Sequence, residues 1–97
     1  MNSTWFIRMN FIENNRCCRL RWENPENLRY YEAHLGMDLF GWCLTLIWGR
    51  KGTALGQVKH YPCLSFEDGY SKVAGIMKQR KRKGYSLKIE RWNEAKA

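Results

Sequence analysis

The sequence predicts an α+β fold: an antiparallel β-sheet with one α-helix packed on one face. Three observations predict it. Short alternating or apolar runs bounded by turn residues fill the first two-thirds of the chain, and one stretch of helical periodicity follows at 66–83. A chain of 97 residues buries only about two-thirds of its unfolded surface, enough for one small core. The expected organisation is a single domain over 1–97, with its core at about 17–92.

Residues 1–16 alternate weakly and carry no turn punctuation before Asn14 and Asn15, so they read as a strand or as an arm. CRLRW at 18–22 alternates apolar and cationic side chains as a half-buried strand does, and ENPEN at 23–27 supplies a turn. A strand at 28–35 and a connection at 36–41 follow. Residues 42–48 are apolar on both sides of the alternation, which places that strand inside the sheet. Gly49, Gly52 and Gly56 mark a turn. The next strand, at 58–64, forms a hairpin with 42–48, and Pro62, which cannot donate to a ladder, puts it at an edge.

Ser65 is an N-cap with Asp68 three residues on, and Phe66, Tyr70, Val73, Ala74 and Met77 recur at helical spacing. Glu67 and Asp68 in the first turn, with Lys81, Arg82 and Lys83 in the last, complement the helix dipole, and Gly84 is the expected left-handed stop. Gly69 and Gly75 each weaken the helix by about 1 kcal/mol relative to Ala, so packing has to hold it. YSLKIERW at 85–92 returns as a last strand.

Seventeen Lys and Arg against nine Asp and Glu give a net charge of +8, which favours polyanionic partners. Between residues 23 and 47 the only cation is Arg29, against Glu23, Glu26, Glu32 and Asp38, so the positive charge gathers in the second half. No stretch approaches the roughly 18 to 20 apolar residues that span a bilayer, and no signal-peptide pattern opens the chain, so a cytoplasmic location is expected. Cys17, Cys18, Cys43 and Cys63 contain no C-x-x-C pair. The H-x-x-C spacing of His60 and Cys63 is half a zinc site at most, and neither metal nor cofactor is expected.

Two histidines, His34 and His60, with no nucleophile beside a base and no paired acids in an apolar setting, argue against an enzyme. GRKGTALG lacks the Walker pattern and leads into a strand, which removes nucleotide hydrolysis. Its glycines allow successive N–H groups to face one concavity, with Arg50 gripping phosphate and Trp48 stacking at its edge. A plain hairpin turn is the alternative.

DLFGWCLTLIWGRKGTALGQ followed by SFEDGYSKVAGIMKQRKRKGY resembles a WGR domain, the module named for the tripeptide found here as Trp48, Gly49 and Arg50. The resemblance runs from about residue 28 to 85 and includes Gly52, Gly56, Phe66, Lys81 or Lys83, Gly84 and Tyr85. In DNA-dependent poly(ADP-ribose) polymerases this module is a sheet with a flanking helix that binds DNA ends or nicks. The resemblance implies that Trp48 packs on the terminal sugar or base, Arg50 meets the strand-end phosphate, and Tyr85 lies close by. No polymerase sequence follows in these 97 residues, so ADP-ribosyl transfer is not implied, and the chain is similar to short bacterial WGR proteins.

The expected DNA-binding set is therefore Trp48, Gly49, Arg50, Lys51, Gly52, Lys59, Lys81, Arg82, Lys83 and Tyr85. The expected partners are phosphate-bearing DNA ends or nicks and a protein effector, with no membrane, for a monomer or weak homodimer. The alternative is a protein-interaction adaptor, or an RNA-binding module, using the apolar strand at 42–48.

Overall fold

The computed structural model describes residues 17–54 and 56–93. The elements are β1 (Cys17–Glu23), β2 (Arg29–Asp38), β3 (Gly41–Arg50), β4 (Gly56–Cys63), α1 (Phe66–Arg82) and β5 (Ser86–Asn93). The strands form one antiparallel sheet with α1 on one face, as the sequence predicts, and their order is β4-β3-β2-β1-β5. The strand-or-arm reading of residues 1–16 falls outside the described residues.

Alternation along the strands sends one set of side chains under the helix. Cys18, Leu20 and Trp22 of β1, Ala33 and Leu35 of β2, and Trp42, Leu44 and Leu46 of β3 meet Phe66 and Val73 of α1 in one buried cluster. Burial pushes the Cys18 thiol up to about 11, so it stays an uncharged core group. On the other face Glu32 accepts from Arg19 at 3.2 Å, from Arg21 at 2.8 Å and bonds His34 at 3.0 Å. Burial raises the Glu32 pKa, but these bonds and the arginine charges outweigh it and hold the carboxyl below its ordinary value.

The helix is capped as expected. Ser65 Oγ accepts from the Asp68 N–H at 3.1 Å, and Asp68 reaches back to the Leu64 N–H at 2.9 Å. At the far end Gly84, with φ +86, turns the chain so that the Tyr85 N–H reaches the Arg80 carbonyl at 3.0 Å.

Three expectations need correction. The second strand does not stop near residue 35 but runs to Asp38, because Leu35 and Met37 continue the alternation through Gly36 and the turn is only residues 39 and 40. Tyr70 is not in the core stripe. It is 49% exposed, flanking α1 against Phe66 and Trp92. Gly69 is a close approach rather than a weak point: a Cβ there would lie 2.4 Å from Leu35 Cδ1, so glycine lets the helix sit on β2.

Candidate nucleic-acid interface

Three chain reversals meet at one end of the sheet. In the turn from β1 to β2, Asn24 is the clamp: its N–H donates to the Arg29 carbonyl at 2.8 Å, its Oδ1 accepts from the Glu26 N–H at 2.9 Å, and its amide reaches the Lys83 carbonyl at 3.5 Å. Leu28 takes a left-handed φ of 60, uncommon for a branched side chain, and its carbonyl accepts from the Lys51 N–H at 2.8 Å. That bond ties the β1–β2 turn to the β3–β4 turn. The helix C-terminus supplies the third wall.

Between these walls lies a cleft of about 850 Å³, lined among others by Tyr31, Trp48, Tyr61, Arg80 and Tyr85, with Arg29, Gly49 and Arg50 along its rim. Trp48 stacks on Tyr31, with ring centroids 6.0 Å apart and planes 19° apart. Arg80 lies 4.3 Å from the Tyr31 ring centroid and 5.1 Å from that of Tyr85, and its Nε is buried without a hydrogen-bond partner among the described residues. Burial raises the Tyr31 phenol above its ordinary value, against the opposing pull of the Arg80 charge. Trp48 is half-buried and Arg50 exposed, so neither is sealed in the core.

Arg29 and Arg50 are direct cross-strand partners in the β2–β3 register. Like charges placed opposite each other are destabilising, and neither guanidinium has a hydrogen bond or ion pair among the described residues. Glu26 at the cleft rim is exposed and forms no ion pair with them. The arrangement concentrates positive potential beside an aromatic wall.

The other expected site residues separate by position. Gly49 pairs with Gly56, where a Cβ would come 2.9 Å from the Tyr30 hydroxyl. Gly52 has φ +80. Lys51 turns to the open face and pairs with Glu23 at 2.6 Å. Lys59, on the helix side of β4, lies 5.2 Å from the Tyr61 ring. Lys81 lines a separate groove between α1 and β5 with Trp22 and Leu87, while Arg82 and Lys83 are exposed. The turn does not form an N–H nest, because Lys51 N–H goes to Leu28 and Thr53 N–H to the Arg50 carbonyl at 3.3 Å.

Sequence reasoning omitted Arg29, Tyr31, Tyr61 and Arg80 from the site. A usable signal existed for Arg80, since it continues the sheet-facing spacing of Phe66, Gly69, Val73, Ile76 and Met77.

A second concavity, about 940 Å³, lies at the open face beside His34, Cys43, Thr45 and His60. Its polar groups largely satisfy one another, with Thr45 Oγ1 bonding His60 at 2.9 Å and His34 bonding Glu32. Among the described residues no three His, Cys, Asp or Glu side chains gather as a metal site, and no helix is long and apolar enough to cross a membrane. The apolar strand that the alternative adaptor reading would use is β3, which is interior to the sheet with Trp42, Leu44 and Leu46 buried.

The sequence model of the WGR domain matches residues 7–91, nearly the whole chain. The chain belongs to the WGR family. WGR domains are known from poly(ADP-ribose) polymerases, in which they bind DNA breaks, and the WGR domain itself is a non-catalytic module. In this WGR domain the naming tripeptide forms the last three residues of β3, which sets the indole against Tyr31 and the guanidinium at the rim. No curated protein and no solved structure matches the chain.

Proposed function

We propose that this protein binds phosphate-bearing DNA ends or nicks in the cleft between the β1–β2 turn, the β3–β4 turn and the helix C-terminus. The observation that carries the reading is the facing pair Arg29 and Arg50, held without a carboxylate partner among the described residues next to the stacked Trp48. A strand-end phosphate relieves their repulsion and accepts from both. Trp48 packs on the terminal sugar or base, contributing about 1 to 3 kcal/mol, and a charge-assisted contact from Arg50 contributes about 1.5 to 3 kcal/mol.

Arg80 and Tyr85 shape the wall behind Trp48. Gly49 and Gly52 keep the turn compact, and Lys59 adds charge beside Tyr61. Lys51, Lys81, Arg82 and Lys83 act at longer range on the flanking phosphate backbone, where each neutralised phosphate steepens the salt dependence by about 0.9 in log–log slope.

The test is a fluorescence-anisotropy titration of matched duplexes that are intact with capped ends, nicked, 5′-phosphorylated at an end, or 5′-hydroxyl. Tightest binding is expected for the nicked and phosphorylated duplexes, weakening steeply as salt rises. Affinity unchanged in both Trp48→Ala and Arg50→Ala would remove this cleft as the site.

A further inference from the structure

A groove runs along β5 on the side of the sheet that carries α1. The buried cluster beneath the helix draws its sheet residues from β1, β2 and β3, so the outermost strand β5, paired only to β1, lies beyond the ground the helix covers. Between α1 and β5 a channel of about 430 Å³ is left, floored by Trp22, which is 2% exposed, and walled by Met77, Tyr85 and Leu87. Strict alternation from Ile89, which pairs with Arg21, would send Leu87 to the open face; a bulge at Lys88 instead sets Leu87 opposite Trp22. It remains 39% exposed there. The bulge thus aims an apolar side chain into a groove that the core does not close.

The charge at the mouth is of one sign. Lys78 and Lys81, three residues and so about 4.5 Å apart along α1, line the groove, and no carboxylate lines it with them. Neither ammonium has an ion pair among the described residues. Lys88 in the bulge is exposed as well, while Glu90, the carboxylate of β5, bonds the Trp92 indole N–H at 2.9 Å and stays outside the groove. A ligand for this site has to project apolar groups inward and hold anions at the rim. A duplex keeps its bases stacked inside and offers only sugar and phosphate, and a bilayer surface does not reach a concave floor. An acidic amphipathic helix meets both demands.

We propose that the groove between α1 and β5 docks an acidic amphipathic segment of another protein. Its apolar side chains enter against Trp22, Met77 and Leu87, and its carboxylates meet Lys78 and Lys81; Trp and Met are among the residues enriched where proteins bind each other. Tyr85 lines both this groove and the cleft and so stands between the docked segment and Trp48. Docking there does not depend on DNA binding.

The full chain is titrated with a fluorescent synthetic helix of about 18 residues bearing Leu on one face and Glu with Gln on the other. Two controls accompany it: the same composition scrambled to remove the apolar face, and a counterpart with Lys in place of Glu. The Leu/Glu helix is expected to bind at least about tenfold tighter than either control. Leu87→Ser, at an exposed position of the edge strand, abolishes that margin, Lys78→Gln with Lys81→Gln weakens binding about threefold or more, and Arg50→Ala leaves it unchanged. Thermal melts check that each variant is folded.

Equal binding of the scrambled peptide, or indifference to Leu87→Ser or to the lysine pair, overturns the proposal. So does loss of binding in Arg50→Ala, which places the peptide in the cleft. The remaining arm replaces the peptide with an intact duplex with capped ends and with phosphatidylserine vesicles: binding of either that is lost in Leu87→Ser assigns the groove to nucleic acid or lipid and overturns it likewise.

Discussion

On the open face Arg19 and Arg21 converge on Glu32, and Arg21 also holds Glu23 at 2.9 Å; at the cleft Arg29 and Arg50 confront each other with no such carboxylate among the described residues. The same side chain thus occurs in two electrostatic settings a few residues apart. Where a guanidinium closes a bond with a half-buried acid, it contributes to the fold. Where two arginines stand opposite each other at an open rim, their like charges carry a cost, which in the proposed reading a bound phosphate relieves. Net charge alone does not separate these classes; the strand register does.

Arg50→Ala probes the contrast most strongly. It is expected to weaken binding of a 5′-phosphorylated nicked duplex about 10- to 100-fold in anisotropy titrations without lowering the melting temperature, the loss of one charge-assisted bond. Arg21→Ala should do the reverse. Removing it leaves Glu32, whose side chain is only 10% exposed, short of a partner, and chemical denaturation should show a loss of about 1 to 3 kcal/mol with little change in DNA affinity. Equal effects of both variants on DNA binding would erase the distinction.

The acid limb of stability sharpens it further. Glu32 and Glu23 both sit below their ordinary value of 4.5, Glu23 chiefly through the hydrogen bond from Lys51 and then that from Arg21. A depressed carboxyl contributes stability that is fully present above its unfolded value and is lost as pH falls through the folded one. Urea denaturation should therefore give constant stability above about pH 5.5 and a decline below about 4.5, with Glu32→Gln flattening that decline.

Two helix glycines provide a related contrast in packing. Gly69→Ala should destabilise by about 1 to 2 kcal/mol because its methyl meets Leu35, whereas Gly75→Ala, with nothing within 4 Å of the new Cβ, should stabilise by up to about 1 kcal/mol. The smallest expected effect is also the most particular: Arg29→Ala should raise the stability of the free protein by a few tenths of a kcal/mol while weakening end binding. Destabilisation by Arg29→Ala would mean that the facing pair is not repulsive.

Local chemistry made most of the fold readable. Ser65 and Gly84 bound the helix because their preferences act on adjacent backbone, and Pro62 placed β4 at the margin because it lacks a donor. Gly36 misled, since a glycine resembles a break whether or not the strand alternation continues across it. At the cleft, Trp48 and Arg50 were legible from the glycine-rich turn as well as from the family pattern, Tyr85 from the family pattern alone, and their convergence follows from the turns around Asn24 and Gly84. Arg29 was read as a lone cation among acids because its partner is 21 residues away in sequence, and pairing register is a non-local property. Arg80 was submerged in a run of cations, in which only the phase of the helix against the sheet decides that Arg80 faces Tyr31 while Lys81 faces Trp22.

Pro62 has one more effect, on how these molecules behave when crowded. An outer strand with every amide free is a template on which another chain can add itself, and repetition of that step leads to fibres. On β4 the ring of Pro62 interrupts the row near its end, and Lys59 adds a charge that an identical neighbour would have to confront. Replacing the proline would lengthen the sticky margin without touching the core, and slow precipitation on storage would reveal the change before any melting experiment did.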